Sequence, residues 1–417
     1  MPAWRIARGR PVGESAQVRV RLTALVLVAS LLAACTSGRP AAEPRTPAPG
    51  SGPATGTQPP VTGPRTVTVL GAGDELLHPQ VWAQARKDAT AEARSGMDFD
   101  PIFAGVAPAI TAADLAVCHL ETPLAPADGP FEGFPRFSVP PQIATTLRDI
   151  GYDTCSTASN HTLDQGTAGI KRTLDALDAA GVRHTGSYRT AADATVPDII
   201  EVTPHGGGAP VKVAQLSYTF GFNGLSRPAG EQWVANLTDP TAILAAAHRA
   251  RQAGARIVVV SLHWGVEYSH TPNAGQKALA AKLLASPDID LILGCHEHVV
   301  QPLARIGDKW VVYGMGNQLA RHADPIDANR EGIMPEFTFT EVTPGHWKVT
   351  KAVVIPTWVT LSPDIRVVDL ATALADPATP ASAARTYRAA VERITGYVDS
   401  LGARDDGLTV GAGLPTD

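Results

Sequence analysis

Short runs of valine, isoleucine and leucine alternate along this chain with longer alanine-rich segments. The clearest apolar runs are residues 67–70, 115–120, 257–262, 289–293 and 310–313. Because these runs are apolar at consecutive positions, we expect them to be strands that are covered on both faces. The segments with helical spacing between them are residues 141–150, 167–180, 240–253 and 274–285. Strands that alternate with helices predict an α/β fold for a main domain at residues 66–360.

The C-terminal part of the chain has a different pattern. Residues 336–342 and 348–355 have the composition of two strands, and the turn between them predicts an antiparallel pair. A helix is expected next, with Thr379 as its N-cap and Pro380 at its first helical position, ending near Leu401. Residues 361–417 are therefore predicted to form a C-terminal helix and a loose, glycine-rich tail.

The N-terminus has the order of residues that is typical of a secretory signal. Several arginines precede an uncharged apolar run at residues 22–34, which ends at Cys35. The run is shorter than the roughly 20 residues that a membrane-spanning helix needs. Residues 32–35, Leu-Ala-Ala-Cys, resemble a bacterial lipoprotein cleavage box. This resemblance implies lipidation of Cys35 and anchoring at the outer face of the cytoplasmic membrane. An ordinary cleaved signal with an incidental cysteine is the alternative.

Composition then limits the other segments and the partners. Residues 36–65 are rich in Pro, Gly and Thr and have few large apolar side chains, so they are expected to be a tether. The formal net charge is −5, and no basic block occurs outside the signal, which argues against a nucleic-acid partner. Beyond Cys35 the chain has three cysteines, so at least one stays unpaired. We expect them to be small buried apolar residues rather than nucleophiles.

Polar side chains that can bind metal follow the ends of several predicted strands. In chain order they are Asp74, Glu121, Asn160 with His161, His263, and His296 with His298. The carboxyl ends of parallel strands meet at one edge of a sheet, so we expect these residues to lie together. Each one alone has an ordinary explanation as a cap or a structural residue. Together they predict a site for one or two divalent ions, of which Mn, Fe and Zn suit these ligands.

Six motifs carry a resemblance to a known family. They are Gly73-Asp74, His119-Leu-Glu121-Thr-Pro, Ser159-Asn160-His161-Thr-Leu-Asp164-Gln-Gly, His263-Trp-Gly-Val-Glu267-Tyr268, Gly294-Cys-His296-Glu-His298 and Tyr313-Gly-Met-Gly-Asn317. In this order they resemble the motifs of the bacterial capsule-synthesis CapA family. That family is associated with poly-γ-glutamate capsules and is related to calcineurin-like metallophosphatases. The resemblance implies a metallophosphatase-like α-β-β-α four-layer sandwich, here with a C-terminal helical extension.

The resemblance also implies roles for these residues. Glu121 would bridge two metal positions, of which Asn160, His263 and His296 complete one, and Asp74 and His298 serve the other. His161 would stabilise or protonate the leaving oxygen as a catalytic residue, which suits the near-neutral pKa of an imidazole. Asp164 would orient His161, unless it only caps the following helix.

The sequence departs from the pattern of that superfamily at two positions. Leu76 stands where an Asp-x-His motif would supply a ligand, so a single-metal or weakly two-metal site is possible unless Glu75 or His78 replaces that ligand. His119 stands where the family usually has asparagine. We expect the His119 side chain to face away from Glu121 unless the strand contains a bulge.

Three further residues are candidates for binding substrate. Glu267 and Tyr268 follow the strand that ends at His263 and could line a cleft. Arg136 could hold an anionic group, because a guanidinium matches carboxylate and phosphate geometry. Each of the three could also be an ordinary surface residue.

Three functions are compatible with these features. The expected one is an exported, lipid-anchored hydrolase of phosphoester-type bonds that acts on a cell-envelope polymer such as poly-γ-glutamate, in contact with other polymer-synthesis membrane proteins. The first alternative is a non-catalytic accessory protein that binds an anionic polymer. The second is a metal-dependent γ-glutamyl amidase.

Overall fold

The computed structural model of this protein describes residues 63–93 and 95–411. The predicted signal, Cys35, the tether up to residue 62 and the last six residues lie outside the described residues. No helix in the described ranges is both long enough and apolar enough to cross a membrane.

The described residues form fifteen strands and nine α-helices. The strands are β1 (Thr66–Leu76), β2 (Leu115–Leu120), β3 (Thr154–Ser156), β4 (Arg183–Thr185), β5 (Asp198–Val202), β6 (Val211–Thr219), β7 (Ile257–His263), β8 (Leu291–Cys295), β9 (Leu303–Ile306), β10 (Lys309–Val312), β11 (Asn317–Ala320), β12 (Glu331–Thr343), β13 (His346–Thr360), β14 (Arg366–Asp369) and β15 (Leu408–Val410). The helices are α1 (Pro79–Ala91), α2 (Asp100–Phe103), α3 (Ala107–Ala112), α4 (Ile143–Asp149), α5 (Gly166–Ala180), α6 (Pro240–Gln252), α7 (Ala274–Leu284), α8 (Leu370–Ala375) and α9 (Ala381–Val398).

The strands belong to two mixed sheets. The first has the order β14-β13-β12-β1-β2-β3-β4, with β11 also paired to β1 and β15 to β13. The second has the order β5-β6-β7-β8-β10-β9. Neighbours are parallel from β1 to β4 and from β6 through β7 and β8 to β10. The carboxyl ends of these parallel strands therefore share one edge within each sheet.

Three apolar cores separate four layers. Val69 of β1 and Val259 of β7 share the core between the two sheets. Leu70 packs with α1 to α5 on the outer face of the first sheet. Val258 packs with α6 and α7 on the outer face of the second. Because consecutive strand residues point to opposite faces, strands covered on both sides are apolar throughout. The predicted α-β-β-α four-layer sandwich is confirmed.

The C-terminal part differs from the prediction in two respects. The N-cap position of the helix is occupied by Pro380, which makes no side-chain hydrogen bond there, and not by Thr379, whose hydroxyl donates instead to the Ala373 carbonyl at 2.6 Å. The tail is not loose up to residue 411, because β15 pairs in parallel with β13. Apolar residues of α9, among them Ile394, join the core between the sheets. These segments therefore complete the main domain.

The cysteines are arranged as one disulfide and one free thiol. Cys118 and Cys155 occupy directly paired positions on β2 and β3 and are joined by a disulfide. Cys295 is buried and free. The odd number of cysteines required at least one unpaired thiol, but only the strand pairing identifies which one.

Candidate metal centre

The polar residues that follow the parallel strands meet where the two sheets approach each other. Asp74 lies on β1, Glu121 directly follows β2, and Asn160 follows β3 on the first sheet. His263 ends β7, and His296 follows β8 on the second. All five side chains are buried. The structure thus brings together the residues that the sequence predicted as ligands.

One part of the cluster joins Asp74, Glu121 and His298. Asp74 Oδ2 lies 3.4 Å from His298 Nδ1, and His298 Nε2 lies 3.8 Å from Glu121 Oε1. One possible ligand atom from each residue falls within 4.8 Å of the other two. Two atoms that each bind one ion at about 2.1 Å are at most about 4.2 Å apart, so a single ion can reach both His298 Nε2 and Glu121 Oε1.

A second part of the cluster joins His263, Asn160 and His296, and it also approaches Glu121. His263 Nε2 is 3.1 Å from Asn160 Oδ1 and 3.9 Å from Glu121 Oε1. The His296 ring centroid is 4.7 Å from that of His263, and the His296 backbone N–H donates to Asp74 Oδ2 at 3.2 Å. Both groups therefore approach the same oxygen of Glu121, Oε1, and the bridging role of this carboxylate stays a prediction.

Several polar atoms of this cluster are buried without a hydrogen-bond partner in the described residues. They are Asp74 Oδ1, both carboxylate oxygens of Glu121, and His296 Nδ1. A buried carboxylate without a partner is costly, and a divalent cation would satisfy it. The residues therefore fit a metal ion, with Asp74, Glu121 and His298 as one group of potential ligands. The assignment of Glu121, Asn160, His263 and His296 to one position, and of Asp74 and His298 to another, stays a prediction. A bound ion would supply Lewis-acid activation of a bond in the substrate.

The charges of the cluster suit metal binding at His263 and His296, whereas His298 holds a proton that an ion at its position must displace. Burial alone would lower the pKa of His298, but the carboxylates of Glu121 and Asp74 raise it to about 10. Burial raises the pKa of Glu121 to about 7 and lowers the pKa of His296 to about 3. Burial also lowers the pKa of His263 well below its ordinary value. His263 and His296 are therefore neutral, which is the form that binds metal.

His161 stands beside the ligands and has its own carboxylate. His161 Nδ1 is 2.7 Å from Asp164 Oδ2, which also accepts the Phe137 backbone N–H at 2.8 Å. Burial opposes protonation, but the Asp164 contact and the charge of Glu121 raise the pKa of His161. The N-cap of α5 is Gln165, so Asp164 does not cap that helix. The geometry allows Asp164 to orient His161.

The residues that might replace the ligand missing at Leu76 do not do so. Leu76 is buried in the core under the helices of the first sheet. Both carboxylate oxygens of Glu75 are buried without a hydrogen bond in the described residues, and burial raises its pKa well above the ordinary value. His78 Nδ1 lies 3.1 Å from the Leu76 carbonyl. Neither Glu75 nor His78 joins a group of potential ligands within the described ranges.

The expectation that His119 faces away from the site is wrong. Residues two apart on a strand share a face, so His119 and Glu121 point to the same side. His119 Nε2 lies 3.6 Å from Asp74 Oδ1, and Asp74, His119 and Cys295 form a further group of potential ligands. Asn317 was also missed as a site residue, although it lies in a quoted motif. Its Oδ1 accepts from His298 Nδ1 at 2.9 Å and so fixes the orientation of that imidazole.

The candidate substrate residues have different surroundings. Glu267 is exposed and groups with His296 and His298. The Tyr268 ring centroid is 6.2 Å from that of His298, and Tyr268 lines a cavity of about 410 Å³ together with His78 and His322. Arg136 is exposed and forms no hydrogen bond or ion pair with another described residue.

Two sheets packed between helical layers, with this cluster where their strand ends meet, define an α/β sandwich protein with a candidate metal centre. The chain matches the family model of the bacterial capsule synthesis protein PGA_cap over residues 68–322. It belongs to that family.

Two curated relatives carry names from capsule synthesis. A capsule biosynthesis protein CapA of Bacillus anthracis is 29% identical over 185 residues, which cover 44% of this chain and 43% of the relative. A PGA biosynthesis protein CapA of Bacillus subtilis is 27% identical over 221 residues, which cover 52% and 56%. The chain thus spans about half the length of the curated relatives it matches.

Solved phosphoesterase structures show a distant likeness. A calcineurin-like phosphoesterase from Bacillus subtilis aligns with a TM-score of 0.43 and 15% identity, over 80% of this chain and 97% of the other. A phosphatase from Mycoplasma pneumoniae aligns with a TM-score of 0.41 and 12% identity, over 70% and 94%.

Proposed function

We propose that this protein is an exported, lipid-anchored hydrolase that uses a divalent metal ion to cleave phosphoester-type bonds in the metabolism of a cell-envelope polymer. The names of its CapA relatives support an anionic polymer such as poly-γ-glutamate as the setting of the reaction. Its place would be the outer face of the cytoplasmic membrane, beside other membrane proteins of polymer synthesis.

The observation that carries the hydrolase proposal is the position of His161 beside the ligand cluster. A protein that only binds polymer through a metal has no need of an imidazole held by a buried carboxylate at 2.7 Å. A hydrolase needs such a group to protonate the leaving oxygen. The Glu121 oxygens, which are buried and have no hydrogen-bond partner among the described residues, provide the adjacent metal position.

A second candidate function is that of a non-catalytic accessory protein. The observation in its favour is that Leu76 lies in the apolar core, so the Asp74 position lacks the ligand of an Asp-x-His motif. A weakened second metal position would reduce catalysis more than binding. We expect the accessory protein to hold anionic polymer without cleaving it.

A substrate screen separates these functions. We expect the metal-loaded full chain to hydrolyse at least one phosphoester from a panel of mono- and diesters, and chelation to remove this activity. The same panel contains poly-γ-glutamate and short γ-glutamyl peptides. Cleavage of the γ-glutamyl substrates alone would show an amidase. Polymer binding without hydrolysis under any divalent metal would contradict the hydrolase proposal.

The anchor can be tested independently of the reaction. Cys35→Ala should release the exported, processed protein from membranes, because the proposed lipid is its attachment. The measurement is fractionation in the producing bacterium, with an alkaline wash that removes peripheral proteins. Ser37→Ala is a control that keeps the cysteine and should remain in the membrane fraction. A processed Cys35→Ala protein that withstands the wash would contradict the anchor.

A further inference from the structure

A chain of hydrogen bonds runs behind the metal ligand His263. His263 Nδ1 lies 2.9 Å from His119 Nε2, and His119 Nδ1 lies 2.6 Å from the Ser156 hydroxyl. The Ser156 hydroxyl in turn is 3.3 Å from the Cys118 carbonyl. On its other side, His263 Nε2 faces Asn160 Oδ1 and Glu121. All the members of this chain are buried.

The donors and acceptors of this chain can be assigned in one direction once a metal ion is bound. An ion bound at His263 Nε2 uses the lone pair of that nitrogen. The proton of the neutral imidazole must then be on Nδ1, which donates a hydrogen bond to His119 Nε2. His119 Nδ1 is then protonated and donates to Ser156. The Ser156 hydroxyl donates to the Cys118 carbonyl, which completes the chain of hydrogen bonds. Every polar atom has a partner, and both imidazoles stay neutral.

Without an ion the chain can also run in the opposite direction. His263 Nε2–H can then donate to Asn160 Oδ1, while Nδ1 accepts from His119 Nε2–H and His119 Nδ1 accepts from Ser156. The heavy-atom distances from Asn160 to Ser156 fit both directions, but in this one the Ser156 hydroxyl no longer donates to the Cys118 carbonyl. Binding of the ion therefore selects one of two proton arrangements that the buried residues already allow.

We propose that His119 and Ser156 are positioning residues that hold His263 as a metal ligand in its Nδ1-protonated form. This inference rests on the proposed function, since it requires a metal ion at His263. His119 and Ser156 together form a relay of hydrogen bonds behind this ligand. The two imidazoles, whose ring centroids lie 5.0 Å apart and whose planes are inclined by 27°, extend the support of the ligand to Ser156 on β3.

The competing role for His119 is that of a direct ligand. Asp74, His119 and Cys295 can present one ligand atom each within 4.8 Å of one another. However, His119 Nε2 is nearer to His263 Nδ1, at 2.9 Å, than to Asp74 Oδ1, at 3.6 Å. One lone pair cannot serve both a metal ion and the N–H of His263. The hydrogen-bond distances favour the relay.

The first test identifies the ligands by nuclear magnetic resonance. The full chain, labelled with ¹⁵N-histidine, is loaded with ¹¹³Cd, which couples to the nitrogens that bind it. We expect coupling to His263 Nε2 and none to His119, whose Nδ1 should carry the proton. Coupling to His119 Nε2 would make it a ligand and overturn the relay.

The second test measures zinc affinity in two variants of one position. His119→Leu removes the acceptor for His263 and should weaken zinc binding by roughly 10–100-fold, the usual effect of losing an outer partner. His119→Gln places a carbonyl oxygen near the former Nε2 and should retain most of the affinity. Equal affinities of the Leu variant and the wild type, or equal losses in both variants, would overturn the relay. A wild type that binds no divalent cation would overturn the proposed function as well.

Discussion

His263→Ala should remove stoichiometric metal binding from this protein. The side chain is buried, and its Nε2 lies within 3.1 Å of Asn160 Oδ1 and 3.9 Å of Glu121 Oε1. Its loss removes a direct ligand and leaves the carboxylate oxygens without a neutral partner for the ion. We expect the affinity for zinc or manganese to fall by more than the roughly 10–100-fold that loss of an outer partner causes. Calorimetric titration of chelator-treated protein measures this change.

A histidine elsewhere on the chain provides the control. His248 on α6 is exposed and pairs with Asp288 at 3.1 Å, so His248→Ala should bind metal as the wild type does. Circular dichroism and thermal unfolding of both variants check that the fold is kept. Unchanged binding in a folded His263→Ala protein would contradict the assignment of this cluster as the metal centre.

His161→Asn should separate the chemical step from metal binding. His161 is proposed to act on the leaving oxygen, with Asp164 2.7 Å from its Nδ1 as the group that orients it. Asparagine cannot donate a proton as an acid, so turnover should fall by roughly 10²-fold or more. Metal content should stay at the wild-type value. Both quantities are measured on the same preparations, with the best substrate of the screen.

Asp164→Asn is the matched variant for this experiment. It keeps a hydrogen-bonding side chain but loses the charge that raises the pKa of His161, so we expect a smaller loss of turnover than in His161→Asn. Loss of metal together with activity in His161→Asn would contradict its assigned role. Equal turnover of His161→Asn and wild type would exclude a proton-transfer role.

The α/β fold could be predicted from composition, because buried parallel strands are apolar throughout, whereas the four layers were implied by the resemblance to the CapA family. The apolar run at residues 115–120 coincides with β2, and those beginning at 257 and 310 lie within one residue of β7 and β10 at each end. Helix caps and the tail were less predictable. Thr379 bonds to the Ala373 carbonyl rather than capping α9, and residues 408–410 pair with a strand more than fifty positions earlier. Such long-range pairing has no local signal.

The clustering of the candidate ligand residues could also be predicted, because parallel strands deliver their carboxyl ends to one edge. The network around those ligands could not. His119 reaches His263 across 144 positions, and Asn317 reaches His298 only because a turn brings β11 beside β1. His296 and His298 adopt positive φ angles of 106° and 56°, a backbone conformation that their motif does not reveal. These features depend on packing between the sheets rather than on spacing.

The most direct test of the metal centre is anomalous diffraction from crystals of the full chain grown with zinc or manganese. Data collected on both sides of the absorption edge of the added metal locate its ions. We predict a strong peak at roughly 2.0–2.3 Å from Glu121, Asn160 and His263, with His296 as a further ligand. A weaker peak between Asp74 and His298 would mark the second position. A protein with ordered Glu121 and His263 side chains and no peak between them, at saturating metal, would contradict the account.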